Sequence, residues 1–369
     1  MLQNIGSAIY KRSLEAAGDE AVLVQLPWWT PIVFFINVLL IVPIVFCRLK
    51  LDYTLQTLYP TFVIIEDENA PDFEPLVPKS PKNGKSGDEE EDVPVTPVPV
   101  SNSIRSIYRL LRANGGFFAN FRGLSIYLVE RFITVIILHS AIRCLGLYLG
   151  LILGPVLHLL CNLLLAQLST AWVHIVITPA SPLRWWRRLP AFSTTVKAVW
   201  GPMFLFSIAS FLAEWAPFVI AKAVHFPLGF HAAMVAQDGQ KPTLGFACLL
   251  LVKYFAVLAG SILAVILLIV PTRMILVRVQ ASLLPVDEDA IVPFDRSFGG
   301  RVQTALVGGR GFATITDVWS TFSRAVMGRL VKLHVKVIVI NVLVGFVLGA
   351  FVVFPSVLAV TTYSTVVKA

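Results

Sequence analysis

Long apolar runs alternate along this chain with short charged stretches, and the length of each run sets what it forms. Six runs reach the roughly 20 residues that a helix needs to cross the hydrocarbon core of a bilayer: 28–47, 124–143, 147–178, 201–225, 244–270 and 331–354. The third is long enough to cross at a tilt, at about 1.5 Å per residue. Trp28 and Trp29 open the first run at a position suited to the membrane–water boundary. Between the first two runs the period changes. Ile104, Ile107, Tyr108 and Leu111 fall on one helical face, and Arg105, Arg109 and Arg112 on the other. That pattern predicts an amphipathic helix lying on a membrane surface, with its arginines toward headgroups or water. Gly115 and Gly116 are placed to stop it, and Gly123 to let the chain turn into the bilayer.

Composition points the same way. Of the 369 residues 56% are hydrophobic and 14% charged, whereas about 25% are charged in an ordinary soluble domain. The chain therefore reads as an integral membrane protein whose first partner is the lipid bilayer. A net charge of +8 would suit nucleic acid in a soluble domain. Here the basic residues gather at the ends of apolar runs, where they anchor and orient spans, so no nucleic acid is expected. Cys47, Cys144, Cys161 and Cys248 lie in or beside apolar runs, with no Cys-x-x-Cys pair and no histidine cluster. They read as small buried hydrophobes, and no metal site is expected. Glycines near 307–311 lack the Lys-Ser/Thr of a phosphate loop. No nucleophile–base pair occurs at workable spacing, so no catalytic residue, cofactor or enzyme activity is expected.

Two segments stand apart. Residues 1–27 read first as a surface tail and second as a short interfacial helix. Residues 66–103 carry acidic runs, Glu66-Asp-Glu and Asp88 to Asp92, around a stretch rich in Pro, Lys, Ser and Gly. Such a segment cannot bury enough apolar surface to offset its ordering entropy, which predicts a disordered insertion. A plain solvated loop is the first reading of it, and an acidic docking patch for a protein partner the second.

The close of the fifth run carries a family resemblance. Pro271-Thr-Arg-Met-Ile-Leu-Val-Arg278-Val-Gln280 resembles the end of an odd-numbered helix in the mitochondrial carrier family, where Pro-x-Asp/Glu-x-x-Lys/Arg is often continued by Arg-x-Gln. Pro271, Arg278 and Gln280 match, while Arg273 and Leu276 replace the acid and the base. A five-residue offset between proline and arginine recurs at Pro43 and Arg48 and at Pro179 and Arg184, with Val45 and Ser181 at the acid's place. The amphipathic segment ending Phe121-Arg122-Gly123 is similar to the family's short surface helix, and Asp317 stands where the third such helix has its early acid. The resemblance implies an all-α integral membrane fold: six transmembrane helices in three pseudo-repeats, as a mitochondrial-carrier-like bundle. The repeats would occupy 28–143 (with the insertion), 144–226 and 244–356, leaving 357–369 as a tail. It also implies a mitochondrial membrane, the outer ahead of the inner.

Function divides at the gates. A charge pair can bias two conformations only if both partners exist, and the family's acid is missing from all three proline motifs. The expectation is therefore a non-transporting scaffold or adaptor of a mitochondrial membrane, serving fusion, lipid traffic or protein insertion. The alternative is a divergent solute transporter of unidentified substrate. Its cavity would draw on Glu130, Arg131, Glu214, Lys253 and Asn341, ionisable or polar groups that are costly against lipid. A Glu214–Lys253 salt bridge joining two helices is the plainer reading of the same residues. His158, Asn162, Gln167 and His174 suit hydrogen bonds between helices.

Overall fold

The structure, a computed structural model, describes residues 39, 45, 46, 48–67, 103–226, 244–303 and 308–368. The tail 1–27, most of the run 28–47 with Pro43, and nearly all of 66–103 lie outside the described residues. The chain divides into two compact units, Lys50–Asn341 and Met1–Leu49 with Val342–Ala369. In the smaller unit Arg48 Nη1 lies 3.8 Å from where a Cβ on Gly345 would stand. The account below concerns the larger one.

The described residues form helices and no strand. A π-helix, Asp52–Leu58, runs directly into α1 (Tyr59–Ile65), every residue of which is buried. Pro60 falls in the first turn of α1, where its missing N–H breaks no helical bond. The amphipathic helix α2 (Ile104–Gly115) starts on a capping box between Ser103 and Ser106 and stops at Gly116, whose φ of 67° a side chain would resist. Its apolar face does not lie on lipid as expected. Ile107 and Leu111 are fully buried in the protein core, while Arg105, Arg109 and Arg112 stay exposed.

Gly123 turns the chain into α3 (Leu124–Leu145) with φ 73°. The third apolar run is split into α4 (Leu147–Leu164) and α5 (Ala166–Ile177), bent by 59° at Leu165. Helix α6 (Phe192–Ala223) begins ahead of Gly201 and contains Pro202 and Pro217. The expected start at Gly201 is thus corrected. Proline inside a membrane helix is tolerated where neighbouring groups take up the freed carbonyl.

The largest correction falls on Pro271. Helix α7 (Leu244–Ala264) widens into a π-helix, Val265–Ile269, and continues as α8 (Val270–Ser282). The proline sits in the first turn of α8 and ends nothing, because the widened turn before it absorbs the bond that proline cannot make. The first segment uses the same device, a π-helix closing two residues before Pro60. By contrast Pro179 is exposed and follows the end of α5. Breaks in the helices stand two residues before Pro60, Gln167 and Pro271: the π-helices ending at Leu58 and Ile269, and the bend at Leu165. Seven residues beyond Pro60, Gln167 and Pro271 stand Asp67, His174 and Arg278.

A short helix α9 (Ile315–Thr321), capped by Thr314 and Asp317, precedes the long α10 (Arg324–Lys368). Among the described residues four segments are long and apolar enough to cross a membrane: Phe118–Leu145, Phe192–Ala223, Cys248–Ser282 and Arg324–Val347. The bent pair α4 and α5 would make a fifth. Outward-facing Phe132, Val135, Val252 and Phe255 are exposed, as suits lipid contact. Lipid tails are as apolar as leucine, so the bundle is held by close packing and by polar contacts between helices. Helix α6 packs against α4, α5, α7 and α8, and α8 in turn meets α1 and α5. Phe62, Ile64, Val173, Val176, Met274 and Val277 belong to the buried core to which those three contribute.

Candidate functional site: a charged cavity among the spans

Four helices turn polar stripes toward one another. On α3 the stripe is Tyr127, Glu130, Arg131 and Thr134; on α8 the cavity face is Arg273, Leu276, Val277 and Gln280, polar at its two ends. Both have the spacing i, i+3, i+4, i+7, which places four residues on one helical face. His158 and Asn162 project from α4, and Met203, Phe206, Ser210 and Glu214 from α6. With Ser169 and Trp172 of α5 and Thr57, these residues line a partly open cavity of about 190 Å³, in which Arg131 and Glu214 are exposed and Glu130 and Arg273 half-buried.

The charges in this cavity are near one another without being paired. Glu130 lies within electrostatic reach of Arg131 and Arg273, and His158 within reach of Glu214 and Arg131. No ion pair joins any of the four charged side chains. The ion pairs between described residues are Arg188–Glu288, Arg278–Asp67, Arg296–Asp289 and Arg310–Asp317. Each arginine of the cavity is instead steadied by a neutral group. Arg131 lies over the Tyr127 ring, 5.2 Å from its centroid. Arg273 donates from Nη1 to the Gln56 carbonyl at 2.8 Å and from Nη2 to the Thr57 carbonyl at 3.3 Å. Those carbonyls belong to the first π-helix, so the widened turn supplies acceptors as well as accommodating Pro60. The two carboxylates have no such support from any hydrogen-bond donor.

One end of the cavity is closed by a hydrogen-bonded layer. Gln280 Nε2 donates to Ser169 Oγ at 2.9 Å, while its carbonyl is 2.9 Å from His174 Nε2. Trp172 Nε1 donates to Tyr53 Oη at 3.1 Å, and that hydroxyl donates to the Arg122 carbonyl. The rings of Tyr53, Tyr127 and Trp172 cluster with centroids 4.9 to 6.5 Å apart. Burial raises the Tyr53 phenol well above its ordinary pKa, which keeps it neutral. Asn162 Nδ2 reaches Ser207 Oγ of α6 at 3.3 Å, a helix-to-helix bond of the kind the sequence leads one to expect.

A second layer lies around the residues seven beyond Pro60 and Pro271. Arg278, 1% exposed, donates to Asp67 at 2.9 Å and stacks between Phe298 and Phe322, 5.5 and 5.4 Å from their centroids. Arg188 donates to Glu288 at 2.5 Å and to Thr178 at 2.9 Å.

Of the residues singled out from sequence, Glu130, Arg131 and Glu214 come together in the cavity. Lys253 does not: its Nζ donates to the His225 carbonyl at 3.1 Å, and the Glu214–Lys253 bridge is not formed. Asn341 is buried in α10 and does not line the cavity. Gln280 lines it, Arg278 lies in the second layer, and Arg184 stacks on Trp186 at 5.0 Å. Arg273 was missed as a cavity residue, because it stands where the carrier pattern has an acid. The i, i+3, i+4, i+7 stripe on α8 was the signal that could have found it. Among the described residues no group of three metal-ligating side chains occurs.

Fold and site together define a helical, multi-pass membrane protein with a charged cavity among its spans. No protein-family model, curated protein or solved structure matches the chain.

Proposed function

We propose that this protein is a divergent, carrier-like protein of a mitochondrial membrane that binds a small solute in the cavity among α3, α4, α6 and α8. The observation that carries this reading is the set of four charged side chains facing one cavity without pairing to one another. Charge inside a span is costly and is kept where it serves a pathway or a ligand. The missing acids of the proline motifs weigh less than the sequence implies, because the polar layers beyond the cavity are built from other positions: Asp67, His174, Arg278 and Gln280. Mitochondrial placement rests on the family resemblance alone.

A screen of metabolites for thermal stabilisation of the purified chain, repeated on Glu214→Gln, tests the reading. A ligand that stabilises the wild type and loses its effect in the variant is the expected result. If every ligand acts equally on both proteins, the cavity is not a binding site. Uptake into proteoliposomes then asks whether binding leads to transport.

The scaffold reading, with the outer membrane ahead of the inner, keeps one observation in its favour. Phe62, Ser169 and Arg273, two positions beyond Pro60, Gln167 and Pro271, would stand where a carrier has three acids. Binding without uptake, together with co-purifying proteins lost on removal of 66–103, would support it.

A further inference from the structure

Resting on the solute-binding reading, we infer that the occupant of the cavity is a small zwitterion bearing both an ammonium and a carboxylate. The cavity's formal charges balance: Glu130 and Glu214 against Arg131 and Arg273. Balance through direct pairs would leave nothing for a ligand to do, but these four make no direct pairs. Arg131 lies over the Tyr127 ring and Arg273 donates to the carbonyls of Gln56 and Thr57, so neither guanidinium is engaged by a carboxylate. Carboxylates and guanidinium groups therefore both face the cavity with charge to be met.

Each ligand class meets that charge differently. A carboxylate alone compensates an arginine, repels two glutamates and leaves the cavity with a net negative charge. An amine alone does the reverse. A zwitterion supplies both signs and adds no net charge. Its ammonium would meet Glu130 or Glu214, and its carboxylate Arg131, which lies within electrostatic reach of Glu130 and of His158. Size narrows the class further. The cavity of about 190 Å³ falls below the roughly 300–1,000 Å³ of pockets that hold drug-sized ligands, which points to a molecule of amino-acid size.

The test uses the purified full chain and measures thermal unfolding against alanine, glutamine, ethylamine, propionate and malate at equal concentration. At least one of the two amino acids is expected to raise Tm saturably, while the three single-sign compounds do not. Glu214→Gln and Arg273→Gln should each weaken the effect about tenfold or more. The double variant Glu130→Gln with Glu214→Gln keeps only cations, so it should lose amino-acid binding and gain binding of malate. Stabilisation of the wild type by propionate, malate or ethylamine as strong as by the amino acids, and lost in the single variants, would overturn the zwitterion and leave a solute site standing. Absence of stabilisation by all five, with no gain of malate in the double variant, overturns both.

Discussion

Arg278 donates to Asp67 across 211 residues of chain, and each stands seven positions beyond the proline that follows a π-helix. The pair thus joins two segments at the same distance beyond a π-helix and a proline. Its cation is enclosed by Phe298 and Phe322, and its side-chain exposures are 2% for arginine and 20% for aspartate. Removing one member of a buried pair costs about 3–5 kcal/mol, and the part-exposed aspartate reduces that to roughly 2–4 for Arg278→Met. A double-mutant cycle with Asp67→Asn should return a coupling of about 1–3 kcal/mol in denaturant unfolding of the detergent-solubilised protein. Additive losses would mean that the contact contributes nothing.

Gly123 and Gly116 provide a matched comparison. Both have positive φ, 73° and 67°. A Cβ on Gly123 would stand 3.0 Å from the Trp172 ring, whereas one on Gly116 meets open space. Gly116→Ala should therefore cost about 1 kcal/mol from backbone strain alone. Gly123→Ala should cost roughly 2–3 kcal/mol, because Trp172 must also move and loosen its bond to Tyr53. Tryptophan fluorescence should change in the second variant and not in the first.

The loop that covers Arg278 should respond to acid. Asp295 accepts from the amide and hydroxyl of Ser297 at 2.8 and 2.6 Å, and from the Gly299 amide at 2.7 Å. Burial pushes its pKa up, but these three donors and nearby Arg278 outweigh burial and hold it below the ordinary value. Stability from a depressed carboxylate is fully present above the unfolded pKa of about 4 and is lost as pH falls through the lower folded value. Hydrogen exchange at Ser297 and Gly299, corrected for intrinsic rate, should quicken over that window. In Asp295→Asn the pH dependence should vanish.

The unsupported carboxylates make a prediction opposite to the usual loss. Neutralising Glu130 or Glu214 removes a carboxylate that no hydrogen bond or ion pair supports, so Glu130→Gln and Glu214→Gln should raise the Tm of the ligand-free protein while weakening binding about tenfold or more. The size of such a trade is about 0.5–2 kcal/mol. Lower apo stability in both variants would show that the carboxylates are structural.

Apolar run length and period made most of the helices legible, because a membrane span needs a certain number of residues and little else. The stop at Gly116 and the turn at Gly123 were legible because φ above zero asks for glycine. Three features were not. The π-helices before Pro60 and Pro271 leave no mark in hydrophobicity, so Pro271 read as an end and Pro179 as its equivalent. The burial of Ile107 and Leu111 depends on α1, a helix whose partners are far away in sequence. In the site, Glu130, Arg131 and Glu214 stood out as charges within apolar runs. Arg273 was hidden by the motif laid over it, and Lys253, equally conspicuous, turned to a carbonyl at a helix end.

The grip of Arg273 on the Gln56 carbonyl also has a bearing on biogenesis. The two residues are 217 positions apart, and at roughly 5–20 residues per second a ribosome takes on the order of 10–40 s to deliver the second after the first. Throughout that interval the early π-helix is without the cation that ties it down. Truncated nascent chains should therefore become protease-resistant in this region only once the fifth run has been synthesised, which makes completion of the cavity a late event in the life of the polypeptide.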